Sequence, residues 1–229
     1  MNTQRSEDIP SYKAQTWQTR YYHLRRFNEV AKLLALNKTS KDDRILDIGC
    51  GSGTYQKAVG KSIYVGCDLN SQSLKKAAKA PNAGYICADA THLPFKDNSF
   101  DIVLCSEVLE HLDSPLKAIK ELARASKKVI VVTFPDERVM EKLGKKNPAH
   151  VSKIQSLWVK TALEKYGYKT IFHNTLYFFL PCETVDKLKI PATVSPLRLA
   201  NTLSHYLSLS FFNKIALTKT YVLMSTKKS

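Results

Sequence analysis

From Arg44 onward, short runs that are apolar at nearly every position alternate with longer segments whose apolar residues recur at helical spacing. Residues 44–48, 62–67, 84–87, 100–105 and 128–134 are short and rich in β-branched side chains, the pattern of strands covered on both faces of a parallel sheet. Between them, 71–80 reads as a helix capped by Asn70 or Ser71. The segment 115–125 reads as a helix capped by Ser114 with Pro115 in its first turn, and 152–166 as a helix ended by Gly167. Strand alternating with helix predicts a doubly wound α/β sheet.

Two regions stand outside this alternation. Over 16–36, Trp17, Tyr21, Leu24, Phe27, Val30, Ala31 and Leu34 recur at helical spacing, so a helix should pack on the sheet from outside. The second region, 176–219, lies between an expected strand at 169–173 and a last strand at 220–225, and contains Pro181, Pro191 and Pro196. One domain follows from this layout. It has an N-terminal helical cap over 1–40, a core over 41–175, a late insertion over 176–219, and a last strand with its tail over 220–229.

At 229 residues and 44% apolar content, the chain can bury about 70% of its unfolded surface, which needs neither disulfides nor a structural metal. Cys50, Cys67, Cys87, Cys105 and Cys182 are odd in number and lack the Cys-x-x-Cys spacing, so buried, reduced thiols are expected. The first residues lack the basic-then-apolar order of a signal peptide, and no apolar run reaches about 18 residues, so a soluble cytoplasmic protein is expected. Charge changes the picture more. The net +15 divides into +4 over 1–40, +2 over 41–134 and +9 over 135–229, which leaves the middle nearly neutral.

That middle holds the candidate chemistry. Residues 44–53 form a strand running into a turn with Gly49, Gly51 and Gly53, the place where an open parallel sheet binds a nucleotide-like ligand. A dinucleotide loop of the Gly-x-Gly-x-x-Gly type would need glycine at Thr54, and its pyrophosphate would be repelled by Asp47 just upstream. A nicotinamide oxidoreductase therefore fits poorly. An acid at the strand end favours a cationic ligand, and S-adenosylmethionine offers an ammonium and a sulfonium with no phosphate. Asp68 closes the second strand, where two carboxylate oxygens can accept from both hydroxyls of a ribose. Asp89 follows the third strand, placed to meet the exocyclic amine of adenine beside the backbone of Ala90.

The loop 47–53, Asp68 and the stretch 89–101 together resemble the class I S-adenosylmethionine-dependent methyltransferases, most closely the type 11 group that includes quinone-biosynthesis enzymes. The resemblance implies a Rossmann-like, seven-stranded sheet in the order 3-2-1-4-5-7-6 with the last strand antiparallel. It also implies that Asp47 and the backbone of Gly49, Gly51 and Gly53 hold the methionine moiety, that Asp68 and the neighbouring Leu69 hold ribose, that Asp89 and Ala90 hold adenine, and that Ser106 lines the cofactor site. The helix after the glycine loop is expected to be short, because Gly60 and Lys61 arrive early.

After the fourth strand come Ser106, Glu107, Val108, Leu109, Glu110 and His111. On a helix, Glu107, Glu110 and His111 would share one face and could hold a divalent cation such as Mg2+ that acidifies an acceptor hydroxyl. This spacing resembles metal-assisted O-methyltransferases of quinone biosynthesis and small-RNA 2′-O-methyltransferases, with His150 as a further candidate ligand. Without metal, His111 is the expected general base, since imidazole titrates near neutral pH. Glu107 and His150 complete the candidate catalytic set. The insertion is apolar and basic at once, with Phe179, Leu203, Phe211 and Phe212 beside Lys187, Lys189, Arg198 and Lys214. That suits a small or lipid-like hydroxyl acceptor, a phenol or quinone precursor or a glycan, with contact at an anionic membrane surface as an expectation. RNA is the competing partner, either as methyl acceptor or as the ligand of a non-catalytic binding module.

Overall fold

The structure, a computed structural model, describes residues 17–37, 42–77, 83–136, 147–178 and 218–228. Helix α1 (Trp17–Leu36) precedes strand β1 (Arg44–Ile48), a single 3-10 turn (Thr54–Ala58) and β2 (Ile63–Asp68). Helix α2 (Ser71–Ala77), β3 (Ala83–Cys87), β4 (Phe100–Ser106), a second 3-10 turn (Leu109–His111), α3 (Pro115–Ala125) and β5 (Ser126–Asp136) follow. The described chain ends with α4 (Ser156–Lys165), β6 (Tyr168–Phe178) and β7 (Thr218–Lys227). The seven strands form one sheet in the order β3-β2-β1-β4-β5-β7-β6. β1 to β5 pair in parallel, and β7 is antiparallel to both its neighbours. The expected Rossmann-like topology is therefore present.

Alternation along the strands divides the core into two layers. Leu46, Ile48, Val103, Cys105, Ile130 and Val132 meet Ile119 and Leu122 of α3 and Val159 and Leu163 of α4 on one face. Ile45, Ile102, Leu104, Val129 and Val131 meet Val30, Leu33 and Leu34 of α1 on the other. Each such side chain contributes roughly 1.5–3 kcal/mol on burial, the favourable term set against the conformational entropy lost in ordering the helices. Helix α1 runs so that Arg26, in its first half, reaches Glu107 just past β4, while Asn37 at its end lies at Met224 of β7. Its N-terminal half therefore stands over the carboxyl edge of the parallel strands.

Several boundaries move for local reasons. Helix α4 starts at Ser156 rather than 152. Residues 151 and 152 are occupied elsewhere: both amides donate to the carbonyl of Glu110, at 2.9 and 3.1 Å, and the Ser152 hydroxyl donates to Leu112 O at 2.6 Å. Asn70 is the cap of α2, its Oδ1 accepting the amides of Gln72 and Ser73. Ser114 holds the cap position of α3 through its carbonyl, which accepts the amide of Lys117. β5 extends to Asp136 because β7 pairs with it from Val129 through Asp136. Of the expected insertion 176–219, only 176–178 in β6 and 218–219 in β7 fall within the described residues; the acceptor-side residues assigned to the rest lie outside them. Cys50, Cys67 and Cys105 are buried and free as expected, whereas Cys87, at the end of edge strand β3, is exposed, and Cys182 lies outside the described residues. No described helix is long and apolar enough to cross a membrane.

Candidate functional site

The turn after β1 is closed by backbone bonds, with the amides of Gly49 and Cys50 both donating to Cys67 O at 2.7 and 3.0 Å. Gly49 and Gly53 adopt φ values of 67° and 76°, the left-handed region that favours glycine. A Cβ at Gly49 would collide with Val108 Cγ2, and one at Gly53 would lie 2.7 Å from the Tyr85 hydroxyl. Both glycines thus let the loop pack directly on its supports, the exit of β4 and the ring of Tyr85. That buried hydroxyl has no hydrogen-bond partner among the described residues.

Asp68 ties the second strand to this loop. Its Oδ2 accepts the amide of Gly51 at 2.8 Å and its Oδ1 the amide of Asn70 at 2.8 Å. A carboxylate has about four lone-pair sites, so two remain for a diol at the strand end. Asp47 lies deeper than expected. It is 1% exposed, and accepts a 2.5 Å hydrogen bond from the Tyr64 hydroxyl. Burial pushes its carboxyl up to about 7 against the opposing hydrogen bond of Tyr64, with the Asp68 charge adding to the rise. Asp47 therefore sits beneath the loop, with its carboxyl turned to Tyr64. Asp89 closes a small turn instead of standing free. Its Oδ1 accepts the Thr91 amide at 2.8 Å and the Thr91 hydroxyl at 2.9 Å, and the amide bond holds its acid below the usual carboxylate range. Ala90 is buried beside it, and Leu69 is 60% exposed at the rim after β2.

At the exit of β4, Glu107 has φ 57°. A non-glycine residue in this region marks a turn imposed by its surroundings. The reversal breaks the helix on which Glu107, Glu110 and His111 would have shared a face. Glu107 points instead to the Arg26 guanidinium, 3.1 Å away, and accepts from the Thr133 hydroxyl at 3.0 Å. Thr133 bonds the Ser106 hydroxyl at 2.9 Å, and Ser106 bonds the Tyr55 hydroxyl at 3.0 Å. On the far side, Arg26 donates to Nδ1 of His23 at 3.1 Å. Burial first, and then the Arg26 charge, lower the His23 pKa to about 4, so its imidazole is neutral at physiological pH. Arg26, His23, Tyr55 and Thr133 were not legible as site residues. The one available signal was a charged Arg26 four residues before the core position Val30.

The side chains that do come together are Glu110, His111 and His150, each with one nitrogen or carboxylate oxygen within 4.8 Å of the others. Glu110 is 1% exposed, and its Oε1 lies 4.0 Å from His111 Nε2. The two imidazoles stack edge to face at 4.7 Å. Hydrogen bonds assign the tautomers. A carbonyl only accepts, so His111 Nδ1 carries the proton shared with Ala149 O at 2.9 Å, and Nε2 is the basic nitrogen. The Ala149 amide donates to Asn147 Oδ1, which fixes the Asn147 amide as donor to His150 Nε2 at 2.9 Å. His150 therefore carries its proton on Nδ1.

This site fits S-adenosylmethionine. Acids stand at three neighbouring strand ends, the glycine loop at 49–53 itself contains no lysine or arginine, and Asp68 has acceptor capacity to spare. The comparisons agree. A family model described as a methyltransferase domain matches residues 46–130. An uncharacterized protein of Methanocaldococcus jannaschii is 35% identical over 175 residues, covering 74% of this chain and 72% of that protein. A ubiquinone biosynthesis O-methyltransferase of Coxiella burnetii is 38% identical over 93 residues, and there the match spans only 37% of this chain and 39% of that enzyme. Among solved structures, magnesium protoporphyrin IX methyltransferase from Synechocystis PCC 6803 with bound SAH matches with a TM-score of 0.65 at 14% identity, covering 94% of this chain and 89% of that one. Fold, glycine loop, strand-end acids and relatives together establish that this chain belongs to the class I S-adenosylmethionine-dependent methyltransferases.

Proposed function

We propose that the enzyme transfers the methyl group to a hydroxyl of a small or lipid-like acceptor, with His111 as the general base. The observation that carries this reading is the orientation of His111. Its Nδ1–H is held by Ala149 O, and its basic Nε2 is turned toward the buried carboxyl of Glu110. A carboxylate there stabilises the imidazolium formed when Nε2 takes a proton. The similarity to an enzyme named as a quinone-biosynthesis O-methyltransferase supports an oxygen acceptor. S-adenosylmethionine supplies a methyl already activated on a sulfonium. The chain's part is to align the acceptor and remove its proton. In this reading Asp68 and Leu69 hold the ribose end, Asp89 and Ala90 the adenine end, and the loop from Gly49 to Gly53 with Ser106 the methionine end.

A second reading places a divalent cation between Glu110, His111 and His150. The hydrogen bond from Asn147 favours the base reading, because it leaves a proton on the other nitrogen of His150. Labelled-methyl transfer to cell extract, separated into RNA, lipid and small-molecule fractions, tests the acceptor: label in lipids or small phenols supports it, and label confined to RNA overturns it. Full activity in EDTA together with loss of activity in His111→Ala supports the base, while loss in EDTA restored by Mg2+ supports the cation.

A further inference from the structure

The carboxyl edge of the sheet carries a ring of polar side chains contributed by five separate elements. Arg26 comes from α1, Tyr55 from the turn after the glycine loop, Ser106 from the end of β4, Glu107 from the reversal that follows, and Thr133 from β5. The contacts run Arg26 to Glu107 at 3.1 Å, Glu107 to Thr133 at 3.0 Å, Thr133 to Ser106 at 2.9 Å, and Ser106 to Tyr55 at 3.0 Å. Arg26 is also near enough to Tyr55 to oppose the rise that burial imposes on the phenol. Phe27, the next residue of α1, stacks on the Tyr55 ring at 5.6 Å. The ring thus closes on α1.

Stability alone accounts poorly for this arrangement. The Arg26 and Glu107 side chains are 13% and 15% exposed, and a buried ion pair adds little net stability over apolar side chains of the same volume. Glu107 is also held in a left-handed backbone conformation, by its side chain and by its amide, which donates to Thr133 O at 2.9 Å. That conformation has a mechanical consequence. It sets the next residue, Val108, against Gly49, where even a single added carbon would collide with it. Pull on Arg26 and the path of contact runs through Glu107 and Val108 to the first glycine of the donor loop.

We infer that Arg26 is a positioning residue for the methionine end of the donor: through the polar ring it makes α1 part of the donor site and fixes Ser106 and the Gly49 loop in their binding positions. The inference rests on the donor-site reading above. It predicts a selective defect. The adenosine half of the donor is held at Asp68 and Asp89, whose carboxylates are positioned by Gly51, Asn70 and Thr91, so only ligands with a methionine chain should notice the loss of Arg26.

The test is calorimetric titration of the full chain with S-adenosylmethionine and with methylthioadenosine, which lacks the amino-acid moiety. Arg26→Met should weaken S-adenosylmethionine about tenfold or more and leave methylthioadenosine within about twofold. Arg26→Lys should recover part of the loss. Glu107→Gln should match Arg26→Met, and the double variant should be no weaker than either, as members of one ring require. Thr133→Val, which keeps the strand's shape, gives the same selective pattern in milder form and serves if Arg26→Met does not fold. Equal losses for both ligands, or full affinity in a folded Arg26→Met or Thr133→Val, overturn the inference while the donor reading stands. A wild-type chain that binds methylthioadenosine and not S-adenosylmethionine overturns both.

Discussion

Replacing Gly49 by alanine adds one methyl group at the most constrained point of the donor loop. Two costs add. The backbone at φ 67° suits glycine, and a residue with a Cβ pays roughly 1–2 kcal/mol there. The new methyl also collides with Val108 Cγ2 and lies 3.4 Å from both Val108 Cβ and Cγ1, so either Val108 or the loop must move, at about 1–3 kcal/mol. Gly49→Ala should therefore lose about 2–5 kcal/mol in urea unfolding. Val108→Ala alone should lose roughly 1–2 kcal/mol, because Val108 is only partly buried. In the double variant the collision disappears and only the backbone cost remains, so it should be more stable than the sum of the singles by about 1–3 kcal/mol. Additivity within about 0.5 kcal/mol, or a Gly49→Ala protein of unchanged stability, would refute the packing of the loop on the exit of β4.

The acidity of Asp47 gives a pH signature. Its folded pKa of about 7 lies above the unfolded value, so its contribution to stability is complete below about pH 4 and is lost as the pH rises through 7. A cationic donor favours the ionised form, so affinity for S-adenosylmethionine should rise between about pH 5.5 and 7 with uptake of the released proton by buffer. Titrations in buffers of different ionisation enthalpy measure this, and a flat profile in wild type, equal to that of Asp47→Asn, contradicts it. Arg124 holds the segment that follows Asp89, donating to Leu93 O, Phe95 O, Asp97 and Glu121. Arg124→Met should cost about 2–3 kcal/mol in urea unfolding and loosen the Asp89 side of the site, the proposed adenine end, so that methylthioadenosine and S-adenosylmethionine weaken together; an unchanged unfolding midpoint would remove that role.

What the chain discloses without its structure follows from the range of the interactions involved. β1 and β4 are buried along nearly their whole length, so short, mostly apolar runs announce them, and the acids at 47, 68 and 89 stand out because each lies at or just past the end of a strand. Asp47 was legible as an acid near the loop, yet its depth depends on Tyr64, a strand neighbour seventeen positions away whose hydroxyl points back at it. The exit of β4 departs from its sequence pattern for a similar reason. Helical spacing from Glu107 to His111 suggested one shared face, but Arg26 and Thr133 draw Glu107 the other way, and neither is near it in sequence. His150 reaches Glu110 and His111 because the chain before α4 is pinned to the Glu110 carbonyl, which also delayed the start of that helix. In α1 the expected apolar stripe omitted Leu33, and the inward face runs on through His23 and Arg26, half-buried polar residues at core spacing that the apolar pattern passes over.

The most direct measurement is calorimetric titration of the wild-type chain and of Asp68→Ala with S-adenosylmethionine, with NAD as the control ligand. The Asp68 carboxylate bonds the Gly51 amide and is the expected seat of the ribose hydroxyls, and bonds to a charged group contribute about 1.5–3 kcal/mol. Wild type should bind S-adenosylmethionine at one site and not bind NAD, and Asp68→Ala should bind it roughly tenfold to hundredfold more weakly. Binding of NAD alone, or full affinity in a folded Asp68→Ala protein, would contradict the account.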